Sequence, residues 1–283
     1  LDLTQLASEQ VKNMKSSSDY TTYPYSITAF LVYNFQDSNA TIKKALNNAK
    51  IRQAISLSIN RKTLVKNVIG DASTVSKTFV PQDLVKDAKT GKDFADESTV
   101  KNSTSYNKAL AQKLWKQGLK ETGIKKLSIQ LLASNDEPNK PISQYLKSAL
   151  EKNLDGLTVN LSNIPSKVAS SRAQSGDFDL YLSGWGADFN DPISHLQIMT
   201  NNSGYNYGKY NSSTYNALVN KAQNQDANDT SARWQDMINA EKTIMKDQGI
   251  TPLDQTVYSY LQNPKVKGII HNTAGTQWNY KYA

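Results

Sequence analysis

The residues that could do chemistry gather in one stretch, Gly184-Trp185-Gly186-Ala187-Asp188-Phe189-Asn190-Asp191-Pro192. Asp188 and Asp191 form a tempting carboxylate pair, because a glycosidase sets two such groups about 5–10 Å apart to act as acid and nucleophile or base. Asp191 has a second reading as a turn former or helix cap, since Pro192 behind it can take the first helical position. Asp188 is harder to explain as a structural residue, because it follows the two glycines so closely. Gly184 and Gly186 let another backbone come close, and Trp185 between them offers a flat apolar wall. His195 falls on an expected short helix and reads as a packing residue. The other histidine, His271, is far away in sequence, and there is no cysteine. A zinc site built on His and Cys therefore lacks ligands, and neither a metal nor a cofactor is expected. The chain has no Gly-x-Ser-x-Gly elbow, no phosphate loop and no dinucleotide fingerprint.

The elements that position this stretch can be read from periodicity. Phe178, Leu180 and Leu182 alternate with Asp179, Tyr181 and Ser183, the period of a strand. Two more strands precede it at 127–132 and 157–161. A helix at 142–154 lies between them, and a second helical connection at 165–176 leads into the strand at 178. Strand, helix and strand with short links predict a parallel crossover and an α/β sheet. Ligands in such sheets meet the carboxyl ends of the strands, and Gly184 to Asp188 stands at such an end.

Around this unit, residues 1–20 predict a short helical segment through Leu3, Leu6, Ala7 and Val11, and 20–35 a buried strand. A helix-rich block follows. It starts near Thr41 and runs through Ile51, Ala54, Ile55 and Ile59, then restarts from an Asn60 cap over 61–69 and stops at Gly70. Residues 71–104 read as a polar loop. Helices are predicted at 105–119, 213–223 and 229–247, the last ended by Gly249, with strand texture at 256–261 and a turn at 272–275. Trp115 sits at core spacing on its helix, so packing outweighs ligand stacking for it.

The 283 residues are enough for one large or two ordinary domains. The net charge of +8 is scattered without a cluster of five or six basic residues, which describes a solvated basic surface and argues against a nucleic-acid partner. No run approaches the roughly 18 apolar residues of a membrane helix. The lack of cysteine leans toward an exported protein.

Two blocks resemble the substrate-binding proteins of bacterial oligopeptide ABC transporters, the family 5 extracellular solute-binding proteins. One is Lys50-Ile51-Arg52-Gln53-Ala54-Ile55-Ser56-Leu57-Ser58-Ile59-Asn60-Arg61, with Asn60 where the family has an aspartate. The other, more specific block runs from Gly176-Asp177-Phe178-Asp179 through Ser183-Gly184-Trp185-Gly186-Ala187-Asp188 to Asp191-Pro192. Pro252, Val266-Lys267-Gly268 and Asn272 fit the family's end. The resemblance implies an α/β, periplasmic-binding-protein-like lobe with a mixed sheet and flanking helices, plus remnants of the other lobe. Residues 1–36 and 256–283 would belong to the first lobe and 37–255 to the second, ligand-binding lobe. The missing N-terminal half would carry a lipid anchor.

The same resemblance implies a non-enzymatic extracellular protein, monomeric, whose partners are an oligopeptide and a membrane permease. Asp188 would hold the peptide's α-amino group, and Gly184, Trp185 and Gly186 would face its main chain. Leu182 stands where some relatives carry an arginine for the peptide carboxylate, which implies a preference for longer peptides. The rival readings are a same-fold binder of nickel, haem or a sugar, and a hydrolase using Asp188 and Asp191.

Overall fold

The computed structural model describes residues 2–282. The chain opens with a short strand, β1 (Leu3–Gln5), where a helix was expected, and the helix Ser8–Met14 follows it. β2 (Tyr20–Tyr33) is long, and its last four residues are buried on both faces, as the continuous run Phe30-Leu31-Val32-Tyr33 requires.

The helix-rich block is punctuated by asparagine caps. Asn39 accepts from Thr41 and Ile42 at the start of Ala40–Asn47, and Asn48 accepts from Lys50 and Ile51 at the start of Ala49–Leu57. Asn60 accepts from the Thr63 N–H and opens Arg61–Thr63. The helix then widens into π turns over Leu64–Ile69 and ends at Gly70, whose φ of 72° suits a residue without a Cβ.

Arg52 and Arg61 from this block are buried, and neither forms an ion pair with a carboxylate among the described residues. Arg52 donates to the carbonyls of Leu46, Asp247 and Gln248, and Arg61 to those of Ser56, Thr104 and Pro252. Burial lowers the pKa of both, that of Arg61 to about 10, which leaves Arg61 a cation at neutral pH. Their forks clamp the helical block onto the connection into the last long strand.

The polar segment 71–104 holds a two-residue strand, β3 (Thr74–Val75), and a helix, Phe94–Ser98. It is not an independent loop. The buried Glu241 carboxylate accepts from the N–H groups of Phe79 at 2.6 Å and Val80 at 3.3 Å and pins the segment to the helix Thr230–Asp247. No periodic pattern could announce that contact. Trp115 is buried on the helix Lys108–Thr122, and its Nε1 donates to the Asp155 carbonyl at 2.7 Å, as a core residue should.

β4 (Leu127–Ser134), the helix Asn139–Asn153, β5 (Leu157–Ile164), the helix Ser166–Gln174 and β6 (Leu180–Gly186) follow in the order the periodicity predicts. β4 is parallel to both β5 and β6, so the chain returns across β4 to place β6 on its other side. β7 (Ile250–Gln262) begins six residues before the expected strand. Pro252 hides that start, since proline argues against a paired strand. It is tolerated because β7 pairs with β2 there, while β3 reaches only Asp254 and Gln255 on the other side. Gln248, at φ 49°, turns the preceding helix before Gly249. The result is a mixed sheet in the order β1-β7-β2-β6-β4-β5, with β3 beside β7. A separate hairpin, β8 (Ile270–His271) with β9 (Trp278–Asn279), carries the expected turn at 272–275.

Candidate functional site

β6 has one satisfied side and one open side. On the first, every residue from Leu180 to Gly186 is in register with β2, from Tyr33 back to Ile27. On the other, β4 pairs only with Leu180 and Tyr181. Residues 182–186 therefore have no strand on that side among the described residues, which leaves an edge where a strand can be added. The sheet breaks off where the two glycines stand.

Gly184 is not required by the fold. A Cβ there would meet only the Thr28 carbonyl oxygen, at the ordinary contact distance of 3.7 Å. Gly186 is tighter, with the Ile27 side chain 3.1 Å from such a Cβ. Trp185 is fixed from two directions. Its Nε1 donates to the Ser194 carbonyl at 2.8 Å, and its ring meets Tyr205 edge-on with centroids 4.7 Å apart.

Ser194 also holds the backbone of Asp188, whose N–H donates to its hydroxyl at 2.8 Å. The turn near the chain's end supports the same point. Gly275 donates its N–H to the Ala187 carbonyl at 3.2 Å. With φ 67° and a Cβ position 2.9 Å from the Asp188 carbonyl oxygen, a side chain at 275 has neither the conformation nor the space. Asp188 is thus a backbone anchored on two sides carrying an exposed carboxylate.

Asp191 is committed elsewhere. Its carboxylate takes both Arg233 guanidinium nitrogens, at 2.8 and 3.0 Å, and also accepts from the Ile193 N–H at 2.9 Å. This is the turn-and-cap role expected of it. His195 is completely buried and packs edge-on against Phe79 at 5.3 Å. Burial pushes its pKa down to about 3, so it is a neutral packing residue. Among the described residues no group of three or more His, Cys, Asp or Glu is placed to hold a metal ion.

A cleft of about 1040 Å³ opens beside the free edge of β6. Ser134 at the end of β4, Ser166 after β5, and Ser183, Gly184 and Trp185 at the end of β6 all line it, so it lies at the carboxyl ends of the parallel strands as expected. Of the four site residues expected from sequence, Gly184 and Trp185 line this cleft, whereas Gly186 and Asp188 follow at exposed positions outside its lining. β7 contributes Asp254, Thr256 and Tyr258, none of which the sequence singles out. The one local hint is that Asp254 is the single charged residue of its strand.

Comparison with known proteins places this architecture. The family model for the middle region of bacterial extracellular solute-binding proteins, family 5, matches residues 1–207. The chain belongs to that family. As a family 5 solute-binding protein it is 36% identical over 289 residues to the dipeptide-binding protein of Lactococcus lactis, a match that spans 100% of this chain and 52% of that protein. It is 27% identical to the oligopeptide-binding protein OppA of Bacillus subtilis, across 95% of this chain and 47% of the relative. The chain spans about half the length of the curated relatives it matches.

Among solved structures, Listeria monocytogenes OppA bound to peptide superposes with a TM-score of 0.87 at 31% identity, over 99% of this chain and 53% of that one. A peptide-binding protein of a peptide ABC transporter gives 0.76 at 36% identity, over 83% of this chain and 99% of its own. The α/β fold with its mixed sheet is therefore that of the solute-binding family. Among the described residues no helix is long and apolar enough to cross a membrane.

Proposed function

We propose that this family 5 chain supplies the peptide-binding face of an extracellular solute-binding protein that captures oligopeptides for an ABC importer. The observation that carries the reading is the open edge of β6 at residues 182–186, which borders the cleft and offers unpaired main-chain groups. An extended peptide laid along that edge is held by its main chain, and those contacts do not depend on which side chains it carries. Gly184, which the fold does not require, leaves room for the approach.

Asp188 follows the edge with its backbone fixed by Ser194 and by the Gly275 turn. A carboxylate held there suits the α-amino group of a peptide through a charge-assisted hydrogen bond. The hydrolase reading loses its second acid, because Asp191 is bound to Arg233. Binding without turnover is therefore the activity we assign, with a membrane permease as the partner that receives the peptide. Residues 37–255 are read as the ligand-binding lobe, with 1–36 and 256–283 as parts of the other.

The test is peptide titration of the whole protein and of its Asp188→Asn variant, using free-amine peptides and their N-acetylated forms. The variant is expected to lose about tenfold or more for the free-amine set only, in the range of a lost charged hydrogen bond. Equal losses for both sets would remove Asp188 from the α-amino role. Absence of binding by any peptide would remove the peptide reading itself.

A further inference from the structure

The site described so far does not use Asp254. This residue sits in the middle of β7, paired with Ala29 of β2 on one side and Val75 of β3 on the other, and is only 4% exposed. Asp254, Thr256 and Tyr258 occupy every second position of the strand and so share one face. All three line the cleft beside Gly184 and Trp185. The Asp254 Oδ1 is buried with no hydrogen-bond partner, and no ion pair reaches the carboxylate among the described residues.

A buried carboxylate left in this state is costly, and proteins ordinarily pair it or neutralise it. Here the one charge that acts on it makes matters worse. Asp71 lines the same cleft and acts on Asp254 as a like charge. Burial first, and then the Asp71 charge, push the Asp254 carboxyl up to about 7. This local field is negative within a chain whose net charge is +8 and which carries 33 lysines and arginines. Among the described residues, no lysine or arginine lines the cleft. Thr256 and Tyr258, which follow it on the same face, add hydroxyl groups to a lining that also includes Ile27, Ala29 and Ser73.

We infer that Asp254, with Asp71 beside it, forms an acidic subsite of the cleft that takes a cationic side chain of the bound ligand, an alkylammonium or guanidinium group such as a peptide's lysine or arginine presents. The inference rests on the peptide-binding reading and adds a side-chain preference to it. It is separate from the α-amino role of Asp188, which lies outside the cleft lining at the end of β6. A cation entering from the cleft supplies the partner that the protein withholds, and the main chain along β6 supplies the register that brings one ligand side chain to it.

The probe is a set of alanine pentapeptides carrying a single Lys, Arg, norleucine or Glu at each position in turn, with free and with acetylated N termini. They are titrated into the whole protein and into its Asp254→Asn and Asp71→Asn variants. At one position Lys and Arg are expected to bind roughly tenfold to hundredfold tighter than norleucine, with Glu weakest. That advantage collapses in Asp254→Asn and shrinks in Asp71→Asn, while the all-alanine peptide changes less than about threefold. Lys and norleucine binding alike at every position, with alanine peptides still bound, would overturn the subsite and leave the peptide reading standing. So would a preference that survives in Asp254→Asn. A loss in that variant common to all free-amine peptides and absent from acetylated ones would assign Asp254 to the α-amino group and overturn the side-chain role. Failure of every peptide to bind would remove both readings together. Should Asp254→Asn not fold, the comparison of Lys with norleucine on the unaltered protein and on Asp71→Asn still decides.

Discussion

Asp191 and Arg233 are joined side by side, two guanidinium nitrogens to two carboxylate oxygens at 2.8 and 3.0 Å. The pair ties the turn after β6 to the helix Thr230–Asp247, and it takes one of the two acids out of contention for ligand chemistry. Both side chains are about a quarter exposed, which limits what the pair contributes. Arg233→Ala is expected to destabilise by about 1 kcal/mol in urea unfolding. It should weaken free-amine and acetylated peptides alike, in contrast to Asp188→Asn. A selective loss of free-amine binding in Arg233→Ala would mean that the pair also organises the α-amino site.

Two glycines separate fold from function. Gly184→Ala places its Cβ 3.7 Å from the Thr28 carbonyl oxygen, so stability should stay within about 1 kcal/mol and could rise, because alanine restricts the unfolded chain. Peptide affinity should fall, since the methyl group occupies the approach to the β6 edge. Gly208→Ala puts its Cβ 2.1 Å from the Tyr33 carbonyl oxygen, where backbone must move. It is expected to cost about 2 kcal/mol or more. Thermal melts alongside peptide titration distinguish the two, and an unaffected affinity in Gly184→Ala would count against the edge-addition geometry.

The buried acids set a pH dependence. Asp254 and Glu241 both have carboxyls raised to about 7, for which burial is the main cause. The folded state therefore holds these protons more tightly than the unfolded state, where carboxyls titrate near 4. Their contribution favours folding at low pH and is lost as pH climbs from about 4 through 7. Asp254→Asn should raise stability at pH 8 by on the order of 3 kcal/mol and change it little at pH 4. Melting curves at the two pH values test this, and an equal effect at both would show that Asp254 acts through packing.

Trp115 is a core residue, and truncation should behave accordingly. Trp115→Ala removes a buried ring and leaves the Asp155 carbonyl without its donor. A loss of roughly 3–5 kcal/mol is expected, with peptide affinity per folded molecule unchanged. Loss of affinity in a variant still folded by circular dichroism would return Trp115 to the candidate binding residues.

Much of this was legible before any coordinates. The helix at 213–223 and the strand–helix–strand unit leading to β6 carry strong local periodicity, and local periodicity is what a chain can display. Asn60 and Gly70 announce a helix start and stop because capping is a property of a few neighbouring residues. The stretch at β1 misled, since three residues become a strand only by pairing with Gln262, Leu261 and Tyr260 from the far end of the chain. Pro252 concealed the start of β7 for a similar reason: whether a proline is tolerated depends on which side of the strand lacks a partner.

By itself, then, the sequence determined which residues alternate, which cap and which could carry charge at the end of β6. It also sufficed to divide the roles of Asp188 and Asp191 as expectations. Only the tertiary structure decided what those residues face. It brought Arg233 to Asp191, Ser194 and Gly275 to the backbone around Asp188, and Asp254 and Asp71 into the cleft beside Trp185. The physical reason is that pairing, burial and the absence of a partner are relations between groups far apart in the chain. A free strand edge and an unpaired buried carboxylate exist only once the rest of the sheet has taken its place.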